Sequence, residues 1–202
     1  MSIALDRFYP IVDSPVWVER LVAAGAKLVQ LRIKACDDGV VRAAVREARQ
    51  VCDERGVQLI VNDHWRIAID AGCDFVHLGQ SDLDGADLTA IRRAGIRLGV
   101  STHDHAELER ALALEPDYVA LGPIYPTVLK KMPWAPQGLA RITEWKRRIG
   151  SLPLVAIGGL TVERLPAVFA AGADSAAVVT DIVRGAKPDT RAREWRAATQ
   201  ST

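Results

Sequence analysis

Short apolar runs alternate with amphipathic segments along the whole chain, and a regular alternation of that kind leaves few architectures open. The runs are Phe8–Val12, Lys27–Ile33, Gln58–Asn62, Asp74–Leu78, Arg97–Ser101, Asp117–Leu121, Leu154–Ile157 and Ser175–Val179, eight predicted strands. Most are preceded by a helix-stopping phrase such as "AAGAK", "ERGVQ", "DAGCD", "RAGIR" or "AAGAD". The Gly in each of these stands where a left-handed cap costs least. Between the runs, Val40–Arg55 sets Val41, Ala44, Val45, Ala48, Val51 and Cys52 on one helical stripe. Glu107–Leu114 and Ala140–Ile149 repeat that pattern, and a last helix is predicted around Arg191–Ala198 with Trp195 docking it, before a frayed end from about residue 199. Eight strand–helix units in 202 residues, about 25 residues each, predict a single compact (β/α)8 barrel. The rival is a doubly wound sheet, which often carries a Gly-rich turn after its first strand. Here the first strand runs into "IVDSP" instead.

A barrel collects its chemistry at the C-terminal ends of the strands. The conspicuous polar residues fall there. In "LVQLRIK" the branched residues alternate with Gln30, Arg32 and Lys34. A closed barrel has no solvated edge, so this polar face is predicted to point into the barrel mouth, where the two cations suit an anion. Run three ends in Asn62 and Asp63, and run four leads to His77, Gln80 and Asp82. Asp63 and Asp82 follow adjacent strands, which lie roughly 4.8 Å apart. They would repel unless a cation such as Mg²⁺ sat between them; the alternative is that Asp63 caps the helix after it. Run five ends at Ser101, and run six opens a long Pro-rich connection, Gly122–Gly138, holding Thr127, Lys130 and Trp134. A connection of that length is usually functional, and its segment Pro123–Pro136 is predicted to act as a lid that carries Lys130 and lets Trp134 close over a ring. Runs seven and eight give "IGGLT" and "VVTDI", at the usual phosphate position of such barrels.

Other motifs carry less. His103 and His105 in "STHDHAE" resemble a metal pair, but Asp104 there reads as a helix cap. His77 reads equally as a buried structural residue and as a catalytic one, and no Ser–His–Asp or Cys–His arrangement is apparent. Trp17, Trp65, Trp145 and Trp195 read as packing residues. The three cysteines, Cys36, Cys52 and Cys73, lack metal or disulfide spacing and read as reduced thiols of a cytoplasmic protein. A formal charge of +1 supplies no field for nucleic acid, and no apolar run reaches membrane-spanning length.

Together "VQLRIK", "VNDHWRIAIDAGCDFVHLGQSD", "LGVSTH", "LGPIYPTVLKKMPWAPQGL" and "VAIGGLT", in this order, make the chain resemble the thiamine-phosphate synthase (thiamine-phosphate pyrophosphorylase) family from end to end. The resemblance implies a (β/α)8 barrel that joins 4-amino-2-methyl-5-(diphosphooxymethyl)pyrimidine to a thiazole phosphate. It implies release of pyrophosphate, formation of thiamine monophosphate, and Mg²⁺ as cofactor. It places Gln30, Arg32, Lys34 and Asn62 on the pyrimidine diphosphate, and Asp63 and Asp82 on Mg²⁺. Ser101 matches a pyrimidine contact and Lys130 a diphosphate contact, with Arg32, Lys34, Lys130 and Ser101 acting in the chemistry. Thr127, Gly159, Val179 and Thr180 match positions around the thiazole phosphate. The chain departs from the family pattern at Leu129, where a Thr is frequent, and at Thr180, where a Ser is common. The alternatives are a thiazole tautomerase-like isomerase on a similar barrel and a non-catalytic binder of phosphorylated thiazole or thiamine.

Overall fold

The computed structural model describes residues 5–34, 37–127 and 134–200. Its strands are β1 (Phe8–Val12), β2 (Leu28–Leu31), β3 (Gln58–Asn62), β4 (Phe75–Leu78), β5 (Arg97–Thr102), β6 (Tyr118–Leu121), β7 (Leu154–Ile157) and β8 (Ser175–Val178). All pair in parallel in sequence order, and β8 closes on β1. The predicted barrel is therefore the observed one, with no strand end moved by more than two residues. Closing the sheet removes every edge, so each strand must satisfy an inner and an outer surface at once.

Side-chain parity does this. Phe8, Val12, Val29, Leu31, Leu59, Val61, Val76, Leu78, Val119 and Leu121 point outward into one large core beneath the helices. The residues between them, Tyr9, Ile11, Leu28, Ile60, Phe75, Tyr118, Ala120, Val155 and Ala177, fill the barrel. The same inward parity carried one step further along β2, β3 and β4 brings Gln30, Asn62 and His77, all buried, to the top of that filling. The register sets Gln30 beside Ile60, and Asn62 beside His77.

The outer ring consists of α1 (Pro15–Ala23), α2 (Asp38–Arg55), α3 (Trp65–Asp70), α4 (Gln80–Leu83), α5 (Leu88–Arg93), α6 (His105–Leu112), α7 (Gly138–Ile149), α8 (Leu165–Ala170), α9 (Thr180–Val183) and α10 (Pro188–Gln200). In α2 the buried positions are Val41, Val45, Ala48 and Cys52, and Gly56 ends it in the left-handed region. Asp104 caps α6 by accepting from Glu107 N, as the sequence suggested. His103 and His105 bind different carboxylates, Glu107 and Glu144, so they are not a metal pair. Trp65, Trp145 and Trp195 are packing residues. α10 begins a turn earlier than predicted and continues to Gln200, fixed by Trp195 stacked on Phe8 and donating to Asp181. Cys52 and Cys73 are free and buried, and burial pushes their thiols up to about 12 and about 11; Cys36 lies outside the described residues. Among the described residues no helix is long and apolar enough to cross a membrane.

Candidate active site

The C-terminal end of the barrel opens into a cavity of about 620 Å³. Of the twelve predicted site residues, eleven line it: Gln30, Arg32, Lys34, Asn62, Asp63, Asp82, Ser101, Thr127, Gly159, Val179 and Thr180. Lys130, and with it Leu129 and the rest of 128–133 in the predicted lid, lies outside the described residues. Trp134 does stand at the cavity wall, stacked on His103 with ring centroids 5.4 Å apart and planes 7° from parallel.

The charged part of the site is built from the ends of β2, β3 and β4. The ladder of β2 stops at Leu31, yet the alternation continues, so Arg32 is half-buried in the cavity and Lys34 reaches the rim. Arg32 has no carboxylate partner among the described residues. Among the described residues, Asp63 is one of two non-glycine residues with positive φ, at 62°. Asp tolerates this left-handed conformation better than most residues, at some cost in strain. The turn is held by Asp63 N donating to His77 O and by Trp65 N donating to Asp63 O. Its effect is to aim the carboxylate across the barrel mouth, where Lys34 pairs with it. The capping alternative is thereby removed: His64 occupies the cap position of α3, with no side-chain capping bond.

Asp82 arrives from α4 and meets the same spot. Its carboxylate accepts from Gly79 N–H and lies beside that of Asp63. Burial and the neighbouring Asp63 charge raise its proton affinity above the ordinary carboxylate range, against the pull of Lys34. Two carboxylates that face and repel each other have room for a hard cation between them. No cluster of three or more metal-ligating side chains occurs among the described residues. The donor set fits an ion that takes most of its oxygens from water and substrate, which is Mg²⁺ rather than a structural zinc. Two further polar atoms lie buried without partners among the described residues, Asn62 Nδ2 and Gln80 Oε1. A buried amide N–H in that position calls for an acceptor from the cavity.

His77 stands behind this rim. Burial pulls its imidazole down to about 4, helped by Arg32 and Lys34 and opposed by Asp63, so it is neutral at ordinary pH. Its Nε2 is 2.8 Å from Ser101 Oγ. No local pattern signals that Ser–His pair, because β4 and β5 must first be placed in register. Behind Nδ1 the structure puts the Tyr118 hydroxyl, where a hydrolytic triad has a carboxylate.

The other half of the mouth is backbone. After β7, Gly159 has φ 65°, and a Cβ there would lie 2.5 Å from the Pro126 carbonyl oxygen. The loop after β6 lies directly on the loop after β7, joined by Ile124 N to Ile157 O and Tyr125 N to Gly158 O. The glycines therefore make room for a neighbouring loop, a role the sequence did not reveal. Arg164 was also missed. It donates to Gly159 O, covers the Tyr125 ring at 4.3 Å, and borders a side cavity of about 220 Å³ shared with Thr127, Gly159 and Thr180. Arg191 ties the loops after β7 and β8 together by pairing with Glu163 and Asp181.

Comparison with known proteins agrees with this geometry. The family model described as thiamine monophosphate synthase matches residues 8–182. A thiamine-phosphate synthase from Rhizobium etli is 63% identical over 195 residues, covering 96% of each chain. One from Neisseria meningitidis is 46% identical, covering 95% of this chain and 93% of that one. Among solved structures, the thiamine phosphate pyrophosphorylase from Pyrococcus furiosus superposes with a TM-score of 0.86 at 23% identity, over 97% of this chain and 96% of its own. A 3-hexulose-6-phosphate synthase shares the fold at a TM-score of 0.68 and 19% identity, over 95% and 99% of the two chains. The matched span runs from the first strand to the short helix after the last, so the whole barrel is what is shared, and the chain belongs to the thiamine monophosphate synthase family.

Proposed function

We propose that this protein is a cytoplasmic transferase that condenses 4-amino-2-methyl-5-(diphosphooxymethyl)pyrimidine with a thiazole phosphate, releasing pyrophosphate and forming thiamine monophosphate. The observation that carries this reading is the meeting of Lys34, Asp63 and Asp82 on one rim, beside an Arg32 with no carboxylate partner among the described residues. Simple capture of a monophosphate has no use for two facing carboxylates, whereas a diphosphate leaving group with a divalent cation does.

The chain's own residues divide the work. Arg32 and Lys34 bind the diphosphate and stabilise the charge that grows on it as the CH2–O bond breaks. Asn62 donates its Nδ2–H, which has no partner among the described residues, to a diphosphate oxygen. Mg²⁺, held by Asp63 and Asp82, would neutralise the same leaving group as a Lewis acid. The electron-rich aminopyrimidine stabilises the cation left behind, so no protein nucleophile is required. Thr127, Gly159, Val179 and Thr180 hold the thiazole phosphate so that the ring nitrogen faces that cation. Trp134 on His103 shields this part of the cavity from water.

Incubating the purified protein with both substrates and Mg²⁺ should yield thiamine monophosphate and pyrophosphate in equal amounts, and EDTA should abolish both. Isomerisation of a thiazole phosphate without the pyrimidine would replace this reading with a tautomerase, and binding without any product would replace it with a sensor.

A further inference from the structure

Beneath the cavity floor, five side chains from five strands or strand ends form one unbroken hydrogen-bonded chain across the barrel. Gln30 Nε2 lies 2.7 Å from Tyr9 Oη, and Tyr9 Oη lies 2.8 Å from Tyr118 Oη. Tyr118 Oη is 2.7 Å from His77 Nδ1, and His77 Nε2 is 2.8 Å from Ser101 Oγ. Gln30, Tyr9, Tyr118 and His77 are all buried. The two tyrosine rings fill the barrel centre edge to face, and His77 stacks on Tyr118 at 5.5 Å. Tyr118 reaches this place only because β5 carries Gly99 opposite it, where a Cβ would lie 2.1 Å from the ring. Both ends of the chain, Gln30 and Ser101, line the cavity; the tyrosines do not.

The donors in such a chain are not independent. The Gln30 amide nitrogen only donates, so Tyr9 Oη accepts from it and spends its own proton on Tyr118 Oη. Tyr118 then donates to His77 Nδ1, which must be the bare nitrogen of the ring. The proton of His77 therefore sits on Nε2 and is donated to Ser101 Oγ. Every buried proton finds an acceptor in this order. Ser101, already accepting from His77, has its own O–H left for the cavity.

We infer that Tyr9, Tyr118 and His77 are positioning residues whose hydrogen-bonded order turns Ser101 into a fixed donor toward the pyrimidine and holds the Gln30 amide in one orientation. The Ser–His pair is consequently oriented the wrong way for nucleophilic catalysis, since His77 gives a hydrogen bond to Ser101 and cannot take its proton. The assignment of a pyrimidine to this end of the cavity rests on the proposed function; the proton order does not.

Nitrogen-15 NMR of protein labelled in its four histidines reads the order without substrate, with the His77 signals identified by their loss in His77→Gln. The expected state of His77 is the neutral Nε2–H tautomer. Tyr118→Phe should bring in the Nδ1–H tautomer, because Nδ1 loses its donor, while Tyr9→Phe should leave the tautomer unchanged. In steady-state assays Tyr118→Phe should raise KM for the pyrimidine diphosphate about five- to tenfold, the equivalent of one neutral hydrogen bond, and leave KM for the thiazole phosphate as it was. An Nδ1–H tautomer in the unmodified protein would overturn the inference, for it would mean that the chain runs backwards and Ser101 donates to His77. A tautomer shift in Tyr118→Phe with unchanged KM would overturn the positioning role. If Tyr118→Phe does not fold, the unmodified protein and Tyr9→Phe still decide the order. Absence of turnover in the unmodified protein would strike at the proposed function instead, with the tautomer still deciding the order.

Discussion

The two halves of the barrel mouth are made of different material. From β2 to β4 the site is side chains: Arg32, Lys34, Asn62, Asp63 and Asp82 project into the cavity and answer to one another by charge. From β6 to β8 it is mostly main chain, with Gly159 pressed against the Pro126 carbonyl and Arg164 clasping Gly159 from outside. The first half gathers charge that crowds its own carboxylates, visible in the raised proton affinity of Asp82 beside Asp63. The second half stores little charge but depends on loops fitting against each other. A change in the first half should therefore show in turnover, and a change in the second in stability and in the grip on the thiazole phosphate.

Asp63→Asn is the sharpest way to break that contrast. Asn tolerates the left-handed turn, so the backbone at φ 62° should persist. With one carboxylate gone, kcat should fall about 10²- to 10³-fold, the usual loss for one preorganised electrostatic group, and melting temperature should barely move. Turnover close to that of the unmodified protein would mean the paired carboxylates are not part of the chemistry. Gly159→Ala makes the opposite test. The new Cβ would meet the Pro126 carbonyl and sit at a left-handed φ that Ala disfavours, costing about 2 to 4 kcal/mol of stability by denaturant titration. KM for the thiazole phosphate should rise with it, and KM for the pyrimidine diphosphate should not. A stable variant with normal KM would show that the loops after β6 and β7 are not locked together.

Between these extremes stands Asn62→Leu. Asn62 Nδ2 is buried without a partner among the described residues, and removing an unsatisfied group of similar shape should leave stability unchanged or raise it by about 1 kcal/mol. The same variant should bind the pyrimidine diphosphate about tenfold more weakly. Loss of stability without loss of affinity would make Asn62 a structural residue and move it out of the charged half.

The contrast also explains what could be read from the chain beforehand. Period-two alternation in "LVQLRIK" was enough to aim Gln30 and Arg32 inward, because a strand has only two faces. The carboxylates followed, since residues just past adjacent strands must be neighbours. Nothing comparable marks the chain that crosses the barrel: Tyr9 and Tyr118 are 109 residues apart, and their meeting depends on strand register and on the space left by Gly99. The double glycine was legible as part of a loop at the usual phosphate position, but its neighbour is the loop carrying Pro126, which no local pattern announces. The bare sequence thus discloses charges at strand ends more readily than the shapes that loops impose on each other.

The smallest effect concerns how the second half is tied to the rest of the barrel. Glu163, just after β7, is held well below its ordinary range, at about 2, first by the Thr161 hydroxyl and its own backbone N–H and then by Arg191. Its folded proton affinity is thus lower than the unfolded one, so its contribution to stability is present above the ordinary glutamate range and is lost as pH falls toward about 2. Because the side chain is 69% exposed, water and salt screen the pair, and the contribution is under about 1 kcal/mol. Glu163→Gln should accordingly melt slightly below the unmodified protein at pH 7. That gap should hold down to about pH 5, narrow through the acid range below it, and shrink at high salt. Arg191 also grips Asp181, so the loops after β7 and β8 lose only one strand of their tether in this variant. KM for the thiazole phosphate should then rise by no more than about twofold, in line with a surface ion pair. A gap that stayed constant through the acid range would assign the effect to something other than the carboxylate's charge, and the tether would have to be sought at Asp181 alone.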